Sequence, residues 1–90
     1  MRAKRVVLKG EVQGIGFRAW LARRARALGL LGYVENVGKD VVIVASGNVE
    51  PLIDAARRYE YASVREVEVE DLEVRSLPPF TVKFSEYELS

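Results

Sequence analysis

A glycine-rich stretch from Gly10 to Arg18 constrains the fold of this chain more than any other segment. The β-rich run of Val6, Val7 and Leu8 leads into it, and an amphipathic helical run from Phe17 to Leu28 leaves it. Glycines in such a turn let a ligand approach the backbone, so that successive N–H groups can point at one anion. The first turn of the helix adds unpaired N–H groups and the positive end of its dipole. The stretch therefore predicts an anion-binding loop between a strand and a helix.

Arg18 closes this loop with a fixed charge, and a planar guanidinium suits phosphate oxygens better than an ammonium does. The stretch Gly10-x-Val12-Gln13-Gly14-Ile15-Gly16-Phe17-Arg18 resembles the signature of the acylphosphatase family, with Ile15 where valine is usual. The resemblance implies that the loop holds a substrate phosphate through the backbone of Gln13, Gly14, Ile15, Gly16 and Phe17. We expect the Gln13 side chain to brace the loop. A turn that binds nothing is the alternative, but a mere turn needs no arginine at a glycine-lined helix start.

The composition excludes several kinds of chemistry. The chain has no cysteine and no histidine, which removes disulfides, thiolate nucleophiles, imidazole bases and the usual zinc ligands. We therefore expect neither a metal nor a cofactor. The longest apolar run, Val41 to Ala45, is too short to span a bilayer, and the start does not resemble a signal peptide. These features predict one domain over residues 1–90, cytoplasmic and not inserted in a membrane.

The charges are distributed unevenly along the chain. Residues 1–39 contain nine basic and two acidic residues, whereas residues 40–90 contain five basic and eleven acidic ones, for a net charge of +1. Such a distribution could steer an anionic substrate toward the Arg18 end, or it could be two charged faces of a sheet protein that pair with each other. The many arginines and glutamates beside two asparagines and one glutamine are also typical of a thermophilic source.

The hydrophobic periodicity predicts five strands and two helices. We expect strands at 4–10, 31–37, 41–46, 64–74 and 80–84, and helices at 17–28 and 49–59. The order βαββαβ with an added strand is a ferredoxin-like α+β sandwich, a mostly antiparallel sheet of four to five strands with two helices on one face. The inward-facing residues change parity between Val67 and Leu72, which predicts a β-bulge near Glu70 and Asp71.

Asn36 stands near the end of the second predicted strand. In this fold the first and second strands are parallel and separated by the third, so the loop 11–17 and Asn36 would lie about 10 Å apart. The segment Gly32-Tyr33-Val34-Glu35-Asn36 resembles the second signature of the acylphosphatase family. The following turn, residues 37–41, is one residue shorter than is typical, and Glu35 stands where a basic residue is frequent. The resemblance implies that Arg18 and Asn36 are catalytic, with Asn36 positioning a water molecule.

The resemblance implies an enzyme that hydrolyses acyl phosphates to a carboxylate and inorganic phosphate by in-line attack of water, without a metal. A second hypothesis is a module that binds an acyl phosphate or another anion with little turnover. RNA binding is disfavoured because the strands lack a pair of exposed central aromatics and the net charge is near zero. We expect a monomer that acts on a small acyl phosphate and binds no nucleic acid.

Overall fold

The computed structural model describes residues 1–14 and 16–84. The elements in chain order are β1 (Arg2–Glu11), α1 (Phe17–Ala27), β2 (Leu31–Val37), β3 (Asp40–Ser46), α2 (Glu50–Arg58), β4 (Ser63–Glu73) and β5 (Thr81–Val82). This order is the one predicted from the periodicity, and the ferredoxin-like α+β fold is confirmed. Within the described part of the chain, neither helix is long and apolar enough to cross a membrane.

The five strands form one sheet in the order β4-β1-β3-β2-β5. β3 lies between β1 and β2 and is antiparallel to both, so β1 and β2 run in the same direction, as predicted. β5 pairs with β2 in parallel, Tyr33 opposite Thr81 and Val34 opposite Val82. The carboxyl ends of β1, β2 and β5 therefore lie at the same edge of the sheet.

One face of the sheet carries both helices and the main core. The α1 residues Phe17, Leu21 and Ala25 are buried there, and α2 contributes a second buried set, consisting of Leu52, Ile53, Ala55 and Ala56. Leu28, which the helical stripe predicted to be buried, is instead 42% exposed. The chain turns back at Gly29, whose φ is 75°, and the Leu30 N–H then bonds to the Ala25 carbonyl at 3.0 Å. Leu30 takes the buried place that was predicted for Leu28.

The opposite face of the sheet has a second, smaller apolar cluster, and this explains a wrong prediction. Leu72 packs on that face, whereas Val67 packs on the main core, so β4 supplies residues to both faces without a kink between them. The pairing of β1 with β4 is regular through Glu70 and Asp71, where we predicted a bulge. The irregularity lies at Arg65 instead, since Lys9 pairs with Glu66 and the next residue of β1 pairs with Val64.

The uneven charge distribution is explained by the pairing of β1 with β4. Basic residues of β1 face acidic residues of β4 in a row of ion pairs, namely Lys4 with Asp71, Arg5 with Glu70 at 3.4 Å and Lys9 with Glu68 at 3.3 Å. These side chains are largely exposed, so they set strand pairing and solubility more than they add to stability. Of the two explanations for the charge asymmetry, the fold supports pairing of the opposite charges, although the pairs join two neighbouring strands and not two faces of the sheet.

Candidate active site

A cavity of about 330 Å³ lies at the edge of the sheet where β1, β2 and β5 end. It brings together five of the predicted site residues, Gln13, Gly14, Gly16, Arg18 and Asn36. Apolar groups complete the lining, namely Val12, Ala19, Val82 and Phe84. Residues from the loop after β1, the first turn of α1 and the ends of β2 and β5 thus meet in one place, although they are far apart in the sequence.

Gly16 caps the start of α1 in a left-handed conformation, with φ at 84°. Among the described residues, apart from the chain neighbours of Gly16, no atom lies within 4 Å of the position where a side chain would begin, so this side of the backbone is open to a ligand. The first turn of α1 contains no acidic residue, which leaves the positive end of the helix dipole uncompensated by a carboxylate of that turn. This geometry favours an anion at the start of α1.

Two predicted loop residues contribute differently from the rest. Phe17 is fully buried in the core, and its N–H donates a long hydrogen bond of 3.4 Å to the carbonyl of Gly14. Phe17 is not among the described residues that line the cavity. Ile15 lies outside the described residues, so its predicted role remains a prediction.

Gln13 links the loop to the neighbouring hairpin. Its side-chain amide Nε2 donates to the Lys39 carbonyl at 2.9 Å and to the Asp40 carbonyl at 3.3 Å. Lys39 lies in the turn between β2 and β3, Asp40 is the first residue of β3, and β2 carries Asn36. The expected bracing by Gln13 is therefore present, and it fixes the loop against the hairpin that holds Asn36.

Arg18 lies in the first turn of α1 and is half-buried, with its Nη1 fully removed from solvent. The guanidinium carbon lies 5.6 Å from the centre of the Phe84 ring, a distance typical of a cation–π contact. Phe84 reaches this place because β5 runs parallel to β2, and the register that pairs Val34 with Val82 sets it beside Asn36. A planar contact of this kind restricts how the guanidinium can turn.

Asn36 lies in β2 opposite Val41 and is also half-buried. Its side-chain oxygen Oδ1 is buried and accepts no hydrogen bond from any described residue. A buried acceptor without a donor costs about 1–3 kcal/mol, so such groups in folded proteins usually serve a ligand or a water molecule. In this cavity the Asn36 Oδ1 is available to accept a hydrogen bond from a molecule bound next to Arg18.

The sequence reasoning missed the apolar wall of the cavity. This wall consists of Val82 in β5 and Phe84 just after it, and their alternation with Phe80 was visible in the sequence. The position of β5 in the sheet was not visible in the sequence, because it depends on pairing with β2 and on a contact with α1. In that contact Arg26 Nε donates to the Phe80 carbonyl at 2.7 Å.

Comparison with known proteins extends over nearly the whole chain. The family model for acylphosphatases matches residues 4–84. An acylphosphatase of Caldivirga maquilingensis is 47% identical over 87 residues, which cover 89% of this chain and 92% of that protein.

Solved structures give the same result. The acylphosphatase of Bacillus subtilis matches with a TM-score of 0.82 at 25% identity, covering 92% of this chain and 99% of that one. HypF of T. kodakarensis matches with a TM-score of 0.79 at 27% identity over 96% of this chain but only 12% of its own length. The sequence motifs, the fold and these matches together show that the chain belongs to the acylphosphatase family.

Proposed function

We propose that this chain hydrolyses acyl phosphates at the cavity between α1 and β2, with Arg18 and the loop 13–17 holding the phosphate and Asn36 positioning water. Acylphosphatases cleave the bond between a carboxyl group and a phosphate. The observation that carries the assignment of residues is the placement of a buried arginine nitrogen and a buried asparagine oxygen around one cavity at a helix start.

Binding of the phosphate follows from the charges and dipoles at the start of α1. The backbone N–H groups around Gly16 and the guanidinium of Arg18 present hydrogen-bond donors and positive charge to the phosphate oxygens. In phosphoryl transfer the charge on these equatorial oxygens must be stabilised in the transition state, and preorganised donors do this with little reorganisation. Arg18 therefore stabilises the transition state as well as the bound substrate.

Asn36 orients the attacking water in this proposal. Its Oδ1 accepts a hydrogen bond from the water, and a lone pair of the water oxygen then points at the phosphorus. The new bond forms between this oxygen and phosphorus, and the bond between phosphorus and the acyl oxygen breaks. Its electron pair leaves with the carboxylate. Since an amide is a poor base, the water proton passes to an oxygen of the substrate's own phosphate.

The nature of the leaving group explains why the reaction needs so few catalytic side chains. A carboxylate is stable at neutral pH, so the departing oxygen requires no general acid. The absence of histidine and cysteine from the chain is therefore no obstacle to this reaction. Binding without turnover is not favoured as an alternative, because simple anion binding would not require a buried acceptor such as Asn36 Oδ1 beside the phosphate.

Other features of the chain remain proposals that the same reasoning supports. We expect residues 1–90 to act as one monomeric domain on a small acyl phosphate in the cytoplasm. The ion pairs between β1 and β4 are in keeping with a thermophilic source, in which networks of this kind are frequent.

The direct test is release of phosphate from acetyl phosphate in the presence of a chelator. We expect wild type to be active and Arg18→Ala to lose about 10³-fold in kcat/KM, as for other residues that stabilise a transferring phosphoryl group. Arg23→Ala is the matched control, since Arg23 is exposed on the same helix and does not line the cavity. Similar activity in Arg18→Ala and Arg23→Ala would overturn the assignment.

Asn36→Ala separates positioning of water from binding of phosphate. We expect kcat to fall about 10²-fold or more, while the inhibition constant of inorganic phosphate changes by less than about threefold. Asn48→Ala is the control, because Asn48 accepts a bond from the Glu50 N–H at 3.2 Å at the start of α2 and not at this cavity. Equal losses in kcat and phosphate affinity would assign Asn36 to binding instead.

A further inference from the structure

We propose that a cleft between α1 and α2 binds a mononucleotide, away from the phosphate cavity. The cleft has a volume of about 620 Å³, which is within the range of small-molecule sites. Its walls include Trp20 and Arg24 of α1, Arg58 at the end of α2, and Tyr59, Glu60 and Tyr61 of the loop that follows. None of these is among the described residues that line the phosphate cavity, so the inference does not depend on the proposed function.

Aromatic rings that pack on one another form one wall of the cleft. Tyr59 follows the end of α2 in an extended conformation, with ψ at 119°, so the chain leaves the path of the helix there. Its ring packs on Trp20 with the centroids 4.4 Å apart, and it is held from behind by Phe17 of the core at 5.1 Å. Tyr61 packs edge-to-face on Tyr59 at 5.7 Å but is 72% exposed. The ring of Tyr61 is therefore supported on one side and open to a flat ligand, such as a nucleobase.

Two arginines supply positive charge beside this wall. The guanidinium carbon of Arg24 lies 5.6 Å from the centre of the Trp20 ring, a cation–π contact that leaves N–H groups at the guanidinium edge for an anion. Arg58 enters the cleft from α2. Among residues 1–14 and 16–84 neither guanidinium has an ion-pair partner, whereas basic residues of β1 are paired with carboxylates of β4. Both guanidinium groups are thus available to a phosphate.

Glu60 distinguishes between kinds of flat anion. Its carboxylate also lines the cleft, and within the described part of the chain it forms no ion pair. A carboxylate accepts hydrogen bonds but repels a ligand that offers only negative charge. A mononucleotide such as adenosine monophosphate (AMP) combines a flat base, an amino group that can donate to the carboxylate, and a phosphate for the arginines. An aromatic carboxylate such as benzoate has the ring and the charge but no such donor.

The test is titration of the full chain with AMP. Calorimetry measures the Kd, and the emission of Trp20, the only tryptophan in the sequence, reports whether the ligand occupies this cleft. We expect AMP to bind about tenfold or more tightly than adenosine, which lacks the phosphate, or ribose phosphate, which lacks the base. Benzoate should also bind about tenfold or more weakly than AMP, because it offers no hydrogen bond to Glu60.

Neighbouring arginines on each helix provide matched control variants. Arg24→Ala and Arg58→Ala should each weaken AMP binding about fivefold or more, since each removes a charge-assisted hydrogen bond. Arg23→Ala and Arg57→Ala should change it less than about twofold, because both residues are exposed and do not line the cleft. Tyr61→Ala should weaken binding about fivefold or more and Tyr61→Phe should not, since the ring makes the contact.

Several results would overturn the inference without bearing on acyl phosphate hydrolysis. One is the absence of AMP binding at millimolar concentrations, or binding that leaves the emission of Trp20 unchanged. Equal losses in Arg23→Ala and Arg24→Ala would mean that general positive charge attracts AMP and that the cleft does not. Loss of AMP binding in Arg18→Ala would place the nucleotide in the phosphate cavity. Benzoate that bound as tightly as AMP would exclude a nucleotide as the preferred ligand.

Discussion

Replacement of Gly32 by alanine should destabilise the fold much more than replacement of Gly29. Gly32 lies in β2 opposite Ala45 of β3, with φ at 144°. A Cβ at this position would lie 1.9 Å from the carbonyl oxygen of Val44, which is backbone and cannot turn away. Gly29 also has a positive φ, 75°, but in the described part of the chain no atom beyond its two neighbours lies within 4 Å of its Cβ position. A comparison of Gly29→Ala with Gly32→Ala therefore separates the cost of backbone strain from the cost of steric overlap.

The expected costs follow from these two contributions. At position 29 the only cost of alanine is the left-handed backbone conformation, which lowers the free energy of unfolding by about 1–2 kcal/mol. Alanine at position 32 adds overlap with β3 to a strain of about 1–3 kcal/mol, and overpacking of this kind costs a further 1–3 kcal/mol or so. Gly32→Ala should thus lower the free energy of unfolding by about 2–6 kcal/mol, a large part of what a small domain has.

Urea denaturation followed by circular dichroism measures both costs, and phosphate release measures what remains of the activity. Because β2 also carries Asn36, four residues beyond Gly32, separation of β2 from β3 should lower kcat in the molecules that still fold. Equal destabilisation by Gly29→Ala and Gly32→Ala would refute the reasoning, because it would mean that the contact with the Val44 carbonyl is relieved at no cost.

Three further variants test the loop and the ion pairs. Gln13→Ala should remove the side-chain hydrogen bonds that brace the loop, which are worth about 1 kcal/mol. If the released loop is inactive, kcat/KM should fall up to about fivefold. An unchanged kcat/KM would contradict this. A hydrogen bond from Lys4 lowers the pKa of Asp71 below 3.8, so this pair stabilises the fold above that pH and is lost as the pH falls through the folded-state value. Asp71→Asn should therefore reduce the loss of stability that accompanies a fall in pH. Asp54→Asn, at an exposed position of α2, should not. A hydrogen bond to Glu68 raises the pKa of Lys9 above 10.5. Lys9→Met should therefore lower the stability of the fold below pH 10.5 and reduce the stability that is lost as the pH rises above that value. The midpoints of urea denaturation measure both changes.

Local signals in the sequence were sufficient to place the loop and the arginine that we propose bind the phosphate. Gly16 at the helix start and Arg18 two residues later are close in sequence, so their spacing alone placed them together. Asn36 was placed by topology, since a right-handed crossover through α1 sets β1 and β2 parallel. These predictions needed no knowledge of side-chain packing.

Features that depend on distant pairing were not predictable in the same way. The change of parity in β4 suggested a bulge, but a strand that feeds two apolar clusters gives the same pattern. The bulge at Arg65 lies between Val64 and Val67, which both pack on the main core although they are three residues apart, and the prediction placed the change of parity further along the strand. The contact between Phe84 and Arg18 needed the register of β5 against β2, which two short strands do not specify from sequence alone.

The division of the site between two rigid elements has a consequence for how mutations act. Arg18 is held by the start of α1, whereas Asn36 is held by the register of β2 against β3. Gln13 is the described side chain that joins the two, through its bonds to the Lys39 and Asp40 carbonyls. Changes in the hairpin should therefore lower kcat and leave phosphate affinity intact, and changes at the helix start should weaken both. Because the proposed mechanism places the water and the phosphate on separate elements, their alignment depends on the whole sheet edge, and a hairpin variant that weakened phosphate binding as much as kcat would show that the two halves are not independent.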